Sequence, residues 1–268
     1  MHKLGLFILV LTLSFAPTAF GQSKTKFAPP LFVFNNGVKD ATYETPAQQV
    51  ALVKEMGFAG MEKNGLDQFD ETLEELDRYK LELFTIYVNV NLDAGTPAYD
   101  QRLPDVLRKL KGRKTMLWLN ITSRQKTFAP SDQAGDAVAI PLLREISDLA
   151  AAQGLRIMLY PHYRFWLERV DHGIELVEKV NRRNLGLTFN LPHWLALTKP
   201  GEESGLSDLL QRAKPHLFAV SVCGATNLET KTGATMWDSL IQPLGRWLEE
   251  HLPAGARLGY VPWLARRA

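Results

Sequence analysis

Residues 155–195 read LRIMLYPHYRFWLERVDHGIELVEKVNRRNLGLTFNLPHWL, and this stretch decides the fold. Leu155 to Tyr160 is a short apolar run that leads into Pro161-His162. Glu168 to Val180 reads as a helix. Leu185 to Phe189 is a second apolar run, leading into Asn190-Leu-Pro-His193. Neither run alternates apolar with polar residues. Continuous apolar runs of this length suit strands buried on both faces, as in parallel sheets. Strand, helix and strand within one span make a βαβ unit.

The same unit recurs outward in both directions. Leu31 to Phe34 predicts a strand ending in Asn35-Asn36-Gly37, and Phe58 to Met61 a strand ending in Glu62-Lys63. Leu83 to Val90, Thr115 to Ile121 and Leu217 to Val222 predict three more. Helices are expected between them. Thr45-Pro46 supplies a cap and a proline at the first helical position, and Gly57 a stop. Asp70 to Lys80 runs from acidic to basic, as the helix macrodipole favours. Leu103–Lys111, Asp136–Gln153 and Leu206–Lys214 follow, with Pro141 allowing the second of these to start nearer Ile140. Seven or eight such units predict an α/β fold, the (β/α)8 TIM barrel. A doubly wound open sheet is the alternative, but it would more often carry a glycine-rich loop after its first strand, which Asn35-Asn36-Gly37 is not. Ala256 to Val261 offers a short eighth strand with no helix after it. The expectation is an atypical or incomplete eighth β/α unit, with sheet edges open beside the first and seventh strands.

Composition agrees with a globular domain. The 268 residues are 46% hydrophobic and 22% charged, which excludes a disordered chain or a fibre. Thirty-one basic and 29 acidic residues leave a net charge of +2, so charge suggests no nucleic-acid partner. Cys223 is the single cysteine, which excludes an internal disulfide. Residues 1–21 have the shape of a signal peptide: basic Lys3, an apolar run from Leu4 to Phe15, and Ala19 and Gly21 at the positions preceding a cut before Gln22. The bland alternative is an uncleaved anchor. Cleavage leaves a single domain over residues 22–268, exported through a Sec-type route to the periplasm or the exterior, with no membrane span in the mature chain.

In a barrel, the loops after the C-terminal strand ends build the active site. The residues expected there are Asn35, Asn36, Glu62, Lys63, Asn89, Asn91, Asn120, His162, Arg164, Asn190, His193 and Ser221. Amides and imidazoles in such number offer donors and acceptors to a neutral polyhydroxy ligand. Trp166 and Trp194 follow the two histidine-bearing turns and offer faces for a sugar ring, or serve as core. Asparagine is also a favoured turn residue, and each amide alone reads as readily as structure. His162 and His193 stand at similar offsets after their strands and should share one mouth; each serves as a base or a ligand, or is simply held by a carbonyl. Glu62 is a candidate base or half of an ion pair with Lys63 or Arg164. His172, His216, His251 and Cys223 read as structural.

The quoted stretch resembles the sugar phosphate isomerase/epimerase family, the xylose isomerase-like TIM barrels. The resemblance extends to LFVFNNGV, ETPAQQVALVKEMGFAGME and KPHLFAVSVCGA, roughly residues 31 to 245. It implies a mouth that binds a divalent metal, and proton transfer at carbons flanking a sugar carbonyl. Catalytic members typically place Glu after the fifth strand, Asp after the sixth, His in the seventh and Glu on the eighth. The matching positions here are Tyr160, Asn190 and Ser221, and the eighth has no counterpart, whereas His193 matches a family histidine. The usual acidic metal ligands are therefore absent, and the metal is left undetermined.

Three functions follow. The first is an exported sugar isomerase or epimerase in which Glu62 or His193 abstracts a proton while His162 or Lys63 stabilises the enediolate, and Asn35, Asn89, Asn120, Tyr160, Arg164, Trp166, Asn190, Trp194 and Ser221 hold the sugar. The second is a non-catalytic carbohydrate-binding barrel. The third is a hydrolase or lyase of a modified sugar. The expected partner is a small carbohydrate, and a homo-oligomer is compatible with the sequence.

Overall fold

The computed structural model describes residues 30–39, 41–199, 201–222 and 257–260. Eight strands stand in chain order: β1 (Leu31–Val33), β2 (Gly60–Asn64), β3 (Glu82–Asn91), β4 (Met116–Thr122), β5 (Arg156–Leu159), β6 (Leu185–Asn190), β7 (Leu217–Val222) and β8 (Arg257–Tyr260). All neighbours run parallel and the sheet closes into a barrel. β8 completes it, with Phe32 opposite Gly259 on one side and Val220 opposite Leu258 on the other. The edges expected beside β1 and β7 are therefore paired. The helical half of the eighth unit, the leader, Cys223 and His251 lie outside the described residues.

The helices are α1 (Asn35–Val38), α2 (Pro46–Glu55), α3 (Phe69–Tyr79), α4 (Leu103–Lys109), α5 (Asp136–Ala151), α6 (Val170–Val180), α7 (Leu191–Leu197) and α8 (Leu206–Ala213). α2 begins as its sequence predicts. The Thr45 side chain accepts from the Gln48 backbone N–H, the Gln48 side chain accepts in return from the Thr45 N–H, and Pro46 follows the cap. α5 starts at Asp136 and contains Pro141. α7 is new relative to the sequence reading. Asn190 caps it, accepting from the backbone N–H of His193, and Pro192 lies in its first turn.

Strand alternation sorts side chains into two layers. Leu117, Leu119, Ile157, Leu159, Leu187 and Phe189 face outward and pack under the helices. Met116, Trp118, Met158, Tyr160 and Ala219 face inward with Phe34, Tyr87 and Phe218. The two bulges fall at phenylalanines. Met61 and Glu62 on β2 oppose Leu83 and Thr85, so Phe84 is skipped, and Leu187 and Thr188 on β6 oppose Leu217 and Ala219, so Phe218 is skipped. Phe84 stacks on Phe32 with centroids 4.8 Å apart. Phe218 lies so close to Gly186 that a Cβ there would meet its ring at 2.6 Å. The Arg156 guanidinium sits 3.5 Å above the other aspect of that ring. Bulges of this kind re-aim neighbouring side chains. The first sets Glu62 level with Thr85, two residues before Tyr87.

Candidate active site

The floor of the mouth is aromatic. Trp118 lies 4.9 Å from Phe34, 6.2 Å from Tyr87 and 4.4 Å from Tyr160, measured between ring centroids. Among the described residues its Nε1–H is buried without a hydrogen-bond partner, as is Asn120 Oδ1 above it on the same strand. The Tyr87 hydroxyl lies beside the Asn120 side chain, and burial pushes its pKa upward. Buried polar atoms without a partner are costly unless something binds them.

Glu62 is buried at one wall. Its Oε2 accepts the Asn35 backbone N–H at 2.8 Å. Burial pushes its pKa from 4.5 to about 7, outweighing the Asn35 bond and the Lys63 charge, which both lower it. A carboxyl poised near neutrality suits a general base. The Asn35 side chain is occupied elsewhere, donating to Gln49 Oε1 at 2.8 Å. Lys63 follows Glu62 on the strand and so takes the other face. Burial lowers its pKa, and it also feels the charges of Glu62, Lys39 and Asp67.

The opposite wall is a hydrogen-bonded chain. Asn190 Nδ2 donates to the Tyr160 hydroxyl and to Ser221 Oγ, both at 3.0 Å. The Tyr160 hydroxyl lies 2.9 Å from His193 Nε2. Burial, with help from the neighbouring His162, drives the His193 pKa down to about 3, so its ring is neutral. In a neutral ring the tautomer sets which partner donates in this hydrogen bond. His162 lies tilted against it, centroids 3.7 Å apart, and its Nδ1 meets the Tyr163 carbonyl at 2.8 Å. Burial lowers the His162 pKa as well.

The remaining expected residues divide. Asn89 accepts from the Thr122 hydroxyl at 3.1 Å and, with Asn120, Arg164 and Trp166, borders a cavity of about 480 Å³ beside the mouth. Trp166 is buried, and its Nε1–H goes to the Asp132 carbonyl at 3.0 Å. Trp194 lines a separate cavity between α6, α7 and α8. Asn91 binds Thr96 locally. His172 is buried against Asp136, whose other oxygen meets Lys179, and His216 approaches Glu178 at 3.3 Å. Tyr87 and Trp118 were not anticipated. Each stands two residues before an anticipated asparagine, so the period of a strand could have found them.

The family profile of the xylose isomerase-like TIM barrels matches residues 50–265. The chain belongs to that family. No curated protein matches it by sequence. Among solved structures it is similar to a 3-keto-D-glucoside 4-epimerase from E. coli, with 17% identity over 87% of this chain and 91% of the other and a TM-score of 0.64. It is similar to a D-allulose 3-epimerase from Methylomonas sp., with 17% identity, 87% and 83% covered and a TM-score of 0.62. An AP endonuclease, family 2, from Brucella melitensis also aligns, with 17% identity, 87% and 92% covered and a TM-score of 0.65. Likeness at this identity shows the shared fold.

A divalent metal is what membership in this family leads one to expect, and the donors present do not fit it. Among the described residues, no three His, Cys, Asp or Glu side chains converge. Tyr160, Asn190 and Ser221 are neutral and already satisfy one another. A hard divalent cation needs charged oxygen ligands. No helix among the described residues is long and apolar enough to cross a membrane.

Proposed function

We propose that the protein is an exported sugar isomerase or epimerase that moves a proton at a carbon next to a sugar carbonyl. The observation that carries this reading is Glu62: a buried carboxyl with a pKa of about 7, oriented by the Asn35 N–H, beside an aromatic floor with unpartnered polar atoms. In its ionised form Glu62 takes the proton from the carbon. The electron pair moves into the carbonyl, whose oxygen becomes an enediolate. The Trp118 Nε1–H is a donor suited to that oxygen, and the Tyr87 and Tyr160 hydroxyls flank it. In an isomerisation the adjacent hydroxyl passes its proton to the former carbonyl oxygen, and Glu62, now protonated, gives its proton to the former carbonyl carbon, so that the carbonyl has moved by one position. For epimerisation Glu62 keeps the proton it took and a second acid, for which the Tyr160 hydroxyl is the candidate, gives a different proton to the other face of the same carbon, after which exchange with solvent returns both groups to their starting forms. The aromatic floor receives the apolar face of the sugar. The basic, then apolar, then small-residue pattern of residues 1–21 supports export to the periplasm or beyond.

A second reading, a carbohydrate-binding barrel without catalysis, is favoured by the neutral Tyr160–Asn190–Ser221 chain standing where the family resemblance leads one to expect two acids and a histidine. Solvent deuterium uptake into a panel of keto-sugars separates the two. Incorporation at the carbon beside the carbonyl supports the first reading. Sugar binding in calorimetry without incorporation supports the second.

A further inference from the structure

The cavity beside the mouth has a chemistry of its own. Arg124 and Lys126, from the loop after β4, and Arg164, from the loop after β5, line it together with Asn89, Asn120 and Trp166. No acidic residue lines it. Among the described residues none of the three cations makes an ion pair, whereas Arg102, Arg108, Arg113, Arg169 and Arg182 are all paired. Glu168, on the same loop as Arg164, is engaged by the Arg164 backbone N–H at 3.1 Å.

All three cationic side chains are exposed, and the backbone that carries Arg124 and Lys126 is held. Asp93 is buried beneath the Arg124–Lys126 loop, accepting Ser123 Oγ at 2.6 Å and the Gln125 N–H at 2.8 Å. Lys126 and Arg164 both occupy the left-handed region, with φ of 58° and 71°. Non-glycine residues adopt it rarely, and such backbone gathers where geometry serves binding. Asn120 joins the cavity to the mouth: it borders the cavity, and its buried Oδ1 has no partner. A volume of about 480 Å³ falls within the range of small-molecule pockets.

We propose that this cavity is an anion subsite and that the ligand is a sugar acid, its polyol chain over the aromatic floor and its terminal oxyanion between Arg124, Lys126 and Arg164. Guanidinium groups recognise carboxylate and phosphate alike. A carboxylate is the better match to an exported protein, since phosphorylated sugars are normally kept inside the cell. The inference rests on the sugar-binding reading of the mouth, but not on turnover.

The experiment is calorimetric titration with D-glucuronate, D-glucose and D-glucose 6-phosphate, on the wild type and on an Arg124→Gln/Lys126→Gln variant. Circular dichroism confirms that the variant folds. Glucuronate is expected to bind at least about tenfold more tightly than glucose. That advantage should vanish in the variant and shrink with added salt, while glucose affinity is unchanged. Glucose 6-phosphate binding more tightly than glucuronate supports the subsite and names phosphate as its anion. Equal affinity for glucose and both anions, binding of none of them, or an advantage that survives in the variant overturns the proposal. An Arg164→Gln variant that retains the full advantage removes that residue from the subsite and overturns the three-cation arrangement. Tight glucuronate binding without deuterium exchange leaves the subsite standing and sinks the catalytic reading instead.

Discussion

The Tyr160 hydroxyl, from the residue after β5, and His193 Nε2, from the first turn of α7, lie 2.9 Å apart. They tie two walls of the barrel mouth into one polar chain. The imidazole is neutral because burial and its His162 neighbour hold its pKa near 3. A neutral imidazole donates or accepts at Nε2 according to its tautomer, and the tyrosine oxygen also accepts from Asn190. Tyr160→Phe removes one group that two others depend on. The expected loss is about 1–3 kcal/mol, from a buried imidazole nitrogen and a buried amide N–H left unpaired. Chemical denaturation measures it. A variant as stable as the wild type would show that water, and not the tyrosine, satisfies those groups. Because the chain positions Asn190 and His193 together, a cycle with His193→Gln should be markedly non-additive.

Glu62 links stability to pH. Its folded-state pKa, about 7, lies above the ordinary 4.5. Between those values the folded protein keeps a proton that the unfolded chain has released. Stability from this group is therefore full below pH 4.5, falls as pH rises to about 7, and is level beyond that. Glu62→Gln keeps an acceptor for the Asn35 N–H and cannot ionise. Above pH 7 the variant should be more stable than the wild type by on the order of 3 kcal/mol, and near pH 4 the two should match. Thermal unfolding at both pH values decides this. A variant less stable at pH 8 would mean that the carboxylate makes a favourable contact outweighing its burial.

The same carboxyl sets the pH profile of exchange. If Glu62 is the base, kcat/KM for deuterium uptake rises with pH, tenfold per unit, and flattens near pH 7. His193 contributes no limb in this range, because it stays neutral down to about pH 3. Glu62→Gln should reduce exchange by a factor on the order of a thousand, within the range of general-base catalysis. A bell with its acid limb intact in Glu62→Gln would assign the base to another group.

The barrel was legible in the sequence because buried parallel strands advertise themselves as apolar runs, and caps such as Thr45-Pro46 fall where helices begin. The Asn190-Leu-Pro192 turn shows what was harder. Those residues are also a cap and a first-turn proline, the signature of α7, and reading them as a ligand-bearing loop hid a helix. The closure by β8 was obscured because four residues of weak pattern suffice when both neighbours are already strands. In the site, residue types at strand ends pointed to Glu62, His162 and His193, which face the mouth. Residue types alone did not say that the Asn35 side chain serves Gln49, or that Trp194 looks into another cavity. Arg124 and Lys126 escaped notice because their value lies in lacking an ion-pair partner among the described residues, a property of folded space.

His172 provides the contrast with His193. It also is buried, but its Nε2 meets Asp136 Oδ1 at 2.8 Å, and Lys179 holds the other oxygen at 2.7 Å. Its ring meets Trp166 edge-on, centroids 5.0 Å apart. This cluster pins the start of α5 to α6 on the helical side of the barrel, and His172, Asp136 and Lys179 do not line the cavity that Trp166 borders. His172→Ala leaves a cavity and releases one bond to a buried carboxylate, costing about 2–4 kcal/mol. Exchange per folded molecule should not change, and the pH profile should keep its midpoint near 7. Urea unfolding together with the exchange assay at a temperature well below the transition tests both parts. A drop in exchange without a drop in stability would move His172 from the scaffold into the chemistry, because a group that only supports the fold has no other route to the rate.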